Sequence, residues 1–433
     1  MWLSASSAFA VTVWYQPTPF PAVKADGVTP INKDDVTVVH ALAGTTSTSH
    51  STQVITATAG ANTVGGISAS DQYWMFVKFD LTGLPQTVDK ALLYLMPHDL
   101  SLYTPTSVGA CLVTGAWNSS TTWNSRPSFN TCYGWFSASP NSWTTIWLTG
   151  AGYDWYNQWQ SGALAKSGIM LFPQAANNNF DAFYSTRYND YARDAYADAR
   201  RPALSLTFTP TLTLKMPLPG IPGPERLSWL VTNEVGGYEC KGEGGNALWP
   251  DPAHTDAGSS GNYYSIDISW TNDGYTYGQY NTPVLAAAGG IVAEVGGGNN
   301  PGNLNGYYIA INHNGSQNPN VGFTTRYLHL KQTAARANGT LLVVGNSVNQ
   351  GDQIGIVGTT GKDASGNPMS TAEHLHFGVR YQNQGYSYIP QLSKVVMEGM
   401  LLKSYQTECA VNANGVPTSR IRYYSSTNIP TGR

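Results

Sequence analysis

The chain has 433 residues, of which 11% are charged, with 23 Lys and Arg against 26 Asp and Glu. The net charge of −3 gives no electrostatic reason to expect a nucleic-acid partner. A chain of this length is expected to form two domains or slightly more. The 26 Tyr and 13 Trp are typical of β-rich extracellular proteins, and no stretch is long and apolar enough to span a membrane.

The first ten residues resemble the end of a signal peptide. They read MWLSASSAFA, in which Ala8, Phe9 and Ala10 form a small-residue cleavage site. We therefore predict that residues 1–10 are a signal-peptide remnant and that the protein is secreted.

Residues 11–210 are predicted to form an antiparallel β-sandwich. Short apolar runs separated by turn residues predict its strands, namely MFVKFDL, KALLYLM, TTIWLTG, SGIMLF and ALSLTF. A short helix is predicted within residues 150–162, because Tyr153, Tyr156 and Trp159 recur at helical spacing. No catalytic constellation is visible in this half of the sequence.

Several runs in this half follow the order of a known family. KFDLTGLP, KALLYL, WNSSTTWNSRP, GIMLF, FYSTR and RRPALSLTF resemble DNRLRE-type, carbohydrate-binding jelly-roll modules of secreted proteins. The resemblance implies a jelly roll over residues 11–210 and a polysaccharide partner. Trp117, Trp123 and Trp135 are candidates for a sugar platform, and the alternative is that they fill the core of the sandwich.

The four cysteines divide evenly between the two halves, and none has CxxC spacing, which argues against a cysteine-based metal site. Three connectivities are available. We predict the one in which each disulfide stays within a domain, namely Cys111–Cys132 and Cys240–Cys409.

A proline-rich segment separates the halves. Pro217, Pro219, Pro222 and Pro224 predict that residues 211–225 form a stiff, extended linker rather than part of a core. The second domain is then expected over residues 226–433.

The second half carries a His-Leu-His motif at 374–376. Leu375, Phe377 and Val379 alternate with the two histidines, which predicts a strand with one apolar face and with His374 and His376 together on the other. Neutral imidazole is both a common zinc ligand and a general base near pH 7. Taken alone, such a pair is also compatible with a solvated or structural role.

Three further residues fit a site of this kind. Asp267 alternates with Ile266 and Ile268 in a short strand-like run, although Asp is depleted in strands. A catalytic zinc site needs three protein ligands of N or O type and an open fourth position for water, and His254, Asp267 and His376 could supply that set. His329 and His374 then remain to transfer protons. Tyr327, two residues before His329, is expected on the same strand face, either lining a cleft or packed in the core.

Five motifs in order resemble the lysostaphin-type and β-lytic zinc endopeptidases. They are TPVLAAAGGIVAEV, YYIAINHNGS, TTRYLHL, VNQGDQIGIVGTTG and EHLHFGV, within a resemblance that covers about residues 225–410. These enzymes cut peptide bonds in bacterial peptidoglycan, often next to glycine. The resemblance implies an antiparallel β-sheet zinc peptidase domain and Zn²⁺ as cofactor.

The resemblance also assigns roles. It implies that the metal is bound by His254, Asp267 and His376, and that the catalytic positions are held by His329 and His374. Most of the family has its first ligand at the position of Tyr263, whereas the β-lytic branch places this His further upstream, as His254 stands here. A decayed site with Tyr263 in place of the ligand is therefore the alternative. His374 is expected to accept the proton of water, and His329 to stabilise the intermediate or protonate the leaving amine, with the division of these steps left open.

Three functions follow from the sequence. The first is a secreted, monomeric, mainly β zinc endopeptidase that hydrolyses peptidoglycan, with the N-terminal module as an anchor on polysaccharide. The second is an inactive wall-binding protein of the same fold. The third is a protease that acts on glycine-rich extracellular proteins. A thermolysin-like site is excluded because the sequence has no HExxH motif.

Overall fold

The computed structural model describes ten ranges of the chain in addition to residues 10–15, with short gaps inside several of them. These ranges are 22–23, 30–31, 61–97, 107–184, 200–220, 228–250, 264–271, 281–382, 390–411 and 417–431. The chain divides into two compact units, with the division between Thr209 and Pro210.

The elements that the structure describes in the N-terminal unit are short strands and one helix, α1. They are β1 Val11–Tyr15, β2 Ala22–Val23, β3 Pro30–Ile31, β4 Ala61–Ser68, β5 Asp71–Tyr73, β6 Met75–Val77, β7 Lys90–Leu95, β8 Ser107–Val113, β9 Phe129–Ser137, β10 Thr144–Trp147, β11 Thr149–Gly150, β12 Tyr153–Asp154, α1 Trp155–Gln160, β13 Ile169–Pro173, β14 Asn179–Tyr184 and β15 Ala203–Phe208.

The strands of this unit form two four-stranded antiparallel sheets, β1-β15-β7-β10 and β6-β13-β8-β9, and a three-stranded sheet, β14-β4-β5. Every residue of the inner strands β7, β8, β13 and β15 is buried or half-buried, whereas in the edge strands β1 and β10 buried residues alternate with exposed or half-buried ones. The prediction of a mainly β, antiparallel fold is confirmed here. Cys111 and Cys132 are register partners on β8 and β9 and form the predicted disulfide.

The predicted helix is also present, as α1. Its buried residues are Trp155, Tyr156 and Trp159. Asp154 caps its first turn, because the Asp154 carboxylate accepts hydrogen bonds from the backbone and the side-chain amide of Asn157 at 3.1 and 2.6 Å.

In the described part of the C-terminal unit, the regular elements are strands and short 3₁₀ turns at Leu392–Lys394 and Leu402–Ser404. Its strands are β16 Leu212–Leu214, β17 Ser228–Asn233, β18 Tyr238–Cys240, β19 Leu248–Pro250, β20 Ser265–Thr271, β21 Pro283–Leu285, β22 Gly290–Gly296, β23 Tyr307–Asn312, β24 Phe323–Leu330, β25 Ser347–Val348, β26 Gln353–Ile356, β27 Leu375–Tyr381, β28 Val395–Met397, β29 Met400–Leu401, β30 Cys409–Val411, β31 Pro417–Ser419 and β32 Tyr423–Ser425.

A ten-stranded sheet dominates this unit. Its order is β19-β18-β17-β20-β27-β24-β23-β22-β25, and β32 pairs with β17. Strands β20, β27 and β24 are therefore neighbours at its centre. One face packs into the core of the unit, where Ile266 and Ile268 of β20 meet Leu375, Phe377 and Val379 of β27, all fully buried. The period-two alternation then directs the residues between them to the opposite face.

The prediction of a linker over residues 211–225 is wrong for its first part. Strand β16 pairs in parallel with β28. Leu214, Met216 and Leu218 are buried in the core of the C-terminal unit. Proline restricts the backbone but does not prevent burial, and here apolar residues alternate with the prolines along an extended segment. Residues 221–227 lie outside the described part of the chain.

No helix in the described part of the chain is long and apolar enough to cross a membrane.

Candidate active site

The pairing of β20 with β27 brings Asp267 and His376 together. The two residues are register partners on adjacent antiparallel strands. Asp267 Oδ1 lies 3.0 Å from His376 Nδ1, and both side chains are buried. His374 Nε2 lies 3.7 Å from the same carboxylate oxygen. A carboxylate and two imidazoles therefore meet on the face of the sheet opposite the core.

A left-handed backbone conformation brings His329 to the same group. His329 has a φ of 61°, a value that few residues other than glycine adopt. Leu328 is the register partner of His376, so simple alternation would send the next residue to the core face. Instead, the ring centroid of His329 lies 5.0 Å from that of His374 and 5.9 Å from that of His376.

Tyr327 does not share a face with His329. Its ring is fully buried in the core, 5.3 Å from that of Phe377. Its hydroxyl accepts hydrogen bonds from the Ala287 amide at 2.9 Å and the Thr325 hydroxyl at 3.1 Å. Burial raises the pKa of Tyr327 to about 12. Core packing is thus the correct alternative for Tyr327, because the left-handed residue interrupts the alternation after Leu328.

The environment of His329 keeps its ring neutral at pH 7. Burial, and then the neighbouring imidazoles of His374 and His376, lower its pKa to about 3. His329 Nδ1 lies 2.7 Å from the carbonyl oxygen of Thr360, which can only accept a hydrogen bond. The proton of the neutral ring is therefore on Nδ1, and the lone pair is on Nε2.

Thr360 is a contributor to the site that the sequence did not reveal. It acts on His329 through its backbone carbonyl, a group that every residue has, so no residue type or spacing marks it. The nearest signal is the glycine that follows it, Gly361, whose φ of 122° favours glycine.

Among the histidines that the structure describes in this unit, His313 belongs to a different network. Its Nδ1 lies 2.9 Å from the Gly289 carbonyl oxygen, and its Nε2 lies 2.9 Å from the Thr325 hydroxyl. Burial lowers the pKa of His313 to about 4. These contacts join β23 to β24 and to the segment before β22, which gives His313 a structural role.

The donor atoms of Asp267 and His376 are of types that zinc binds. Two ligands that are each ~2.1 Å from a tetrahedral ion lie about 3.4 Å apart, within about half an ångström of the 3.0 Å between Asp267 Oδ1 and His376 Nδ1. Within the part of the chain that the structure describes, no group of three or more His, Cys, Asp or Glu side chains is arranged to hold a metal ion. His254 and Tyr263, the candidates for a third ligand, lie outside the described residues. The described residues therefore fit zinc as two of its ligands.

The comparisons with known proteins concern the C-terminal part of the chain. Residues 272–387 match the family model of peptidase family M23. This region includes His329, His374 and His376, and it begins five positions after Asp267, at residue 272. No curated protein matches the chain.

The solved structures similar to this chain include M23 proteins. A putative glycyl-glycine endopeptidase, LytM, from Ruminococcus gnavus is 22% identical, with 35% of this chain and 49% of that one covered, at a TM-score of 0.24. The catalytic domain of a prophage-encoded M23 protein, EnpA, from Enterococcus faecalis is 18% identical, with 40% and 95% covered, at a TM-score of 0.23. The M23 metalloprotease pseudoalterin from the deep sea is 16% identical, with 50% and 96% covered, also at 0.23. The chain thus spans about half the length of the first of these structures.

Proposed function

We propose that this protein is a secreted, zinc-dependent endopeptidase that hydrolyses peptide bonds, next to glycine, in bacterial peptidoglycan. The observation that carries the proposal is the convergence of Asp267, His329, His374 and His376 on one face of the central strands. The match of residues 272–387 to a peptidase family supports the reaction class. The disulfide between Cys111 and Cys132 supports an oxidising, extracytoplasmic compartment.

In this proposal Asp267 and His376 hold the ion, with His254 as the third ligand and Tyr263 as the alternative. Zinc bound in this way lowers the pKa of a water molecule to about 7 and polarises a carbonyl group. Two ligands come from adjacent, hydrogen-bonded strands, so their separation is fixed by the sheet rather than by flexible loops.

His374 and His329 are the groups that move protons. His374 Nε2 lies 3.7 Å from the Asp267 carboxylate. Its imidazole would therefore be placed to accept a proton from a water bound to an ion that Asp267 and His376 hold. His329 presents a lone pair on Nε2, which makes it a hydrogen-bond acceptor in its neutral state. It donates a proton, to the leaving amine or to an oxyanion, only after it has itself been protonated. The order of these two histidines in the reaction is part of the proposal that kinetics must decide.

Metal removal provides the direct test. Purified protein is treated with a chelator and assayed by the fall in turbidity of several bacterial cell-wall preparations and by cleavage of a pentaglycine peptide. We expect activity on cell walls to fall to background and to return when one equivalent of Zn²⁺, but not Mg²⁺, is added, because Mg²⁺ prefers oxygen ligands.

The outcomes separate the three functions derived from the sequence. Activity that survives complete chelation contradicts the zinc-dependent mechanism. Wall binding without hydrolysis, by a protein that takes up no stoichiometric zinc, identifies the inactive wall-binding protein, as expected if Tyr263 stands in place of a ligand. Hydrolysis of the glycine peptide without lysis of any cell wall identifies a protease of glycine-rich proteins.

We also propose that the N-terminal unit binds polysaccharide through an aromatic row on its β6-β13-β8-β9 sheet. The row consists of Trp135, Phe172, Trp74 and Phe129, with ring centroids 5.3, 6.1 and 5.9 Å apart in that order. A Cβ at position 109 would lie 2.7 Å from the Phe172 ring and 2.9 Å from the Trp135 ring, so glycine there lets both rings lie close to the sheet.

The three tryptophans named by the sequence divide between the two alternatives. Trp117 is buried against Phe76 at 5.6 Å, so its place in a sugar platform is wrong. Trp135 is 51% exposed and remains a candidate. Trp123 lies outside the described residues. The resemblance to DNRLRE-type modules remains a prediction.

Replacement of Trp135 by Ala tests this surface. We expect retention on insoluble cell-wall polysaccharide to fall about 10-fold, because truncation of an aromatic contact costs roughly 1–2 kcal/mol of binding free energy. Trp147→Ala is the matched control, since Trp147 is also 51% exposed but lies on β10 of the other sheet, under the Lys90 ammonium group. Equal retention of the two variants would contradict the assignment.

A further inference from the structure

Thr360 connects the imidazole of His329 to the backbone of β23 and β24. Its side chain is buried, in the loop between β26 and β27. Its carbonyl oxygen accepts the hydrogen bond from His329 Nδ1 at 2.7 Å. Its hydroxyl donates to the Leu330 carbonyl at 2.5 Å and accepts from the Tyr307 amide at 2.9 Å. One residue thus contacts the end of β24, the start of β23 and the imidazole of His329.

The two groups of Thr360 have different consequences. The carbonyl selects the form of the ring in which Nδ1 carries the hydrogen, which leaves the lone pair on Nε2. The hydroxyl determines where that carbonyl lies, because its two hydrogen bonds attach the loop to backbone atoms of a ten-stranded sheet. Removal of the hydroxyl would leave the carbonyl in the chain but take away this attachment.

Neighbouring glycines make room for this arrangement. Gly306 has a φ of 62°, and a Cβ there would lie 2.3 Å from the Thr360 carbonyl oxygen. A Cβ on Gly361 would lie 3.2 Å from His329 Nδ1. The amide of His329 donates to the Asn305 carbonyl at 3.1 Å, which helps to hold the left-handed backbone of that residue. His329 is therefore held by its main chain and by its ring, from two separate loops.

We propose that Thr360 is a positioning residue for the reaction: its hydroxyl fixes its carbonyl, and the carbonyl holds His329 as the Nδ1–H tautomer with Nε2 available for proton transfer. This inference rests on the proposed function for its kinetic consequence, but its structural part concerns the protein alone. Partners of this kind, which orient a reacting or ligating imidazole, typically affect activity by about 10–100-fold.

The first test is the tautomer of His329 in the wild-type protein. Full-length protein with ¹⁵N-labelled histidine, free of metal, is examined by long-range ¹H–¹⁵N correlation NMR, and the His329 signals are identified by their loss in His329→Gln. We expect the pattern of a neutral ring protonated on Nδ1. A ring protonated on Nε2 overturns the proposal without any variant of Thr360.

The second test compares Thr360→Val with Thr360→Ser. Valine keeps the shape of threonine and removes the hydroxyl, whereas serine retains it. We expect the valine variant to show His329 signals shifted toward a mixture of tautomers, and kcat on peptidoglycan reduced about 10–100-fold with KM and zinc content unchanged. The serine variant should match the wild type in all four measurements.

The results distinguish this inference from the proposed function. Wild-type His329 signals and kcat in the valine variant overturn the role of Thr360, as does a serine variant that behaves like valine. If no form of the protein hydrolyses peptidoglycan, the proposed function fails. The tautomer in the metal-free proteins then still decides whether Thr360 positions His329.

Discussion

Replacement of His376 by Ala is expected to remove zinc and activity together. Zinc content should fall from one ion per chain to below about 0.1, because a site with three protein ligands loses most of its affinity when one is removed. Turnover of peptidoglycan should fall by about 10³-fold or more, since all of the chemistry that the metal supplies is lost. Metal analysis of the purified variant and a turbidity assay check both parts.

A histidine outside the site supplies the control for this variant. His313→Gln also removes an imidazole from the C-terminal unit, but His313 contacts Gly289 and Thr325 rather than the Asp267 group. It should retain stoichiometric zinc. A His376→Ala protein that still binds one zinc ion would refute the assignment of this ligand. The same measurement on His254→Ala and Tyr263→Phe identifies the third ligand, for which we expect loss of zinc only in the former.

Replacement of His374 or of His329 by Ala is expected to separate catalysis from metal binding. Both variants should keep one zinc ion per chain and lose about 10²–10⁴-fold in turnover, the usual magnitude of general acid–base effects. The reason is their position, since both rings lie beside the Asp267–His376 pair, but neither histidine is the register partner of Asp267. Single-turnover kinetics at saturating substrate, together with metal analysis, provide the measurement.

Tyr327→Phe is the matched control for these two variants. Tyr327 is two residues from His329 but lies on the opposite face of the sheet, where its hydroxyl accepts the Ala287 amide hydrogen bond. Loss of the hydroxyl leaves that buried amide without its acceptor, so stability should fall by about 1–3 kcal/mol while turnover stays near the wild-type value. A near-normal rate in either histidine variant would show that its catalytic role is wrong.

The alternation of apolar and polar residues was sufficient to place the two residues that form the centre of the site. In SIDIS and HLHFGV the apolar residues alternate with polar ones, so burial of the isoleucines, Leu375 and Phe377 in the core directs Asp267 and His376 to the opposite face. The pairing of β20 with β27 then makes these two residues register partners. Sequence alone does not specify such a pairing, because it depends on which strands become neighbours in the sheet.

The errors have a common physical origin. Tyr327 and His329 are two positions apart, and a regular strand would place them on one face, but the left-handed backbone of His329 reverses the direction. Prolines at 217 and 219 indicated a linker, yet Met216 and Leu218 are buried. Trp117 was a candidate for a sugar surface but packs in the core. In each case the local pattern correctly indicated the conformation or the residue type, but it did not specify which residues pack against that position in the folded chain.

The sequence by itself determined the mainly β class and the disulfide within the N-terminal unit, and it supplied the histidines and the aspartate of the proposed chemistry as a prediction. These depend on local periodicity, residue type and the spacing of cysteines, all of which are written along the chain. Only the tertiary structure showed that a left-handed backbone turns His329 toward His374 and His376, and that its Nδ1 lies against the Thr360 carbonyl, in a loop between two other strands. The first depends on the backbone conformation of one residue, and the second on a backbone carbonyl 31 positions away, a group that every residue has, so no pattern of side chains marks either of them.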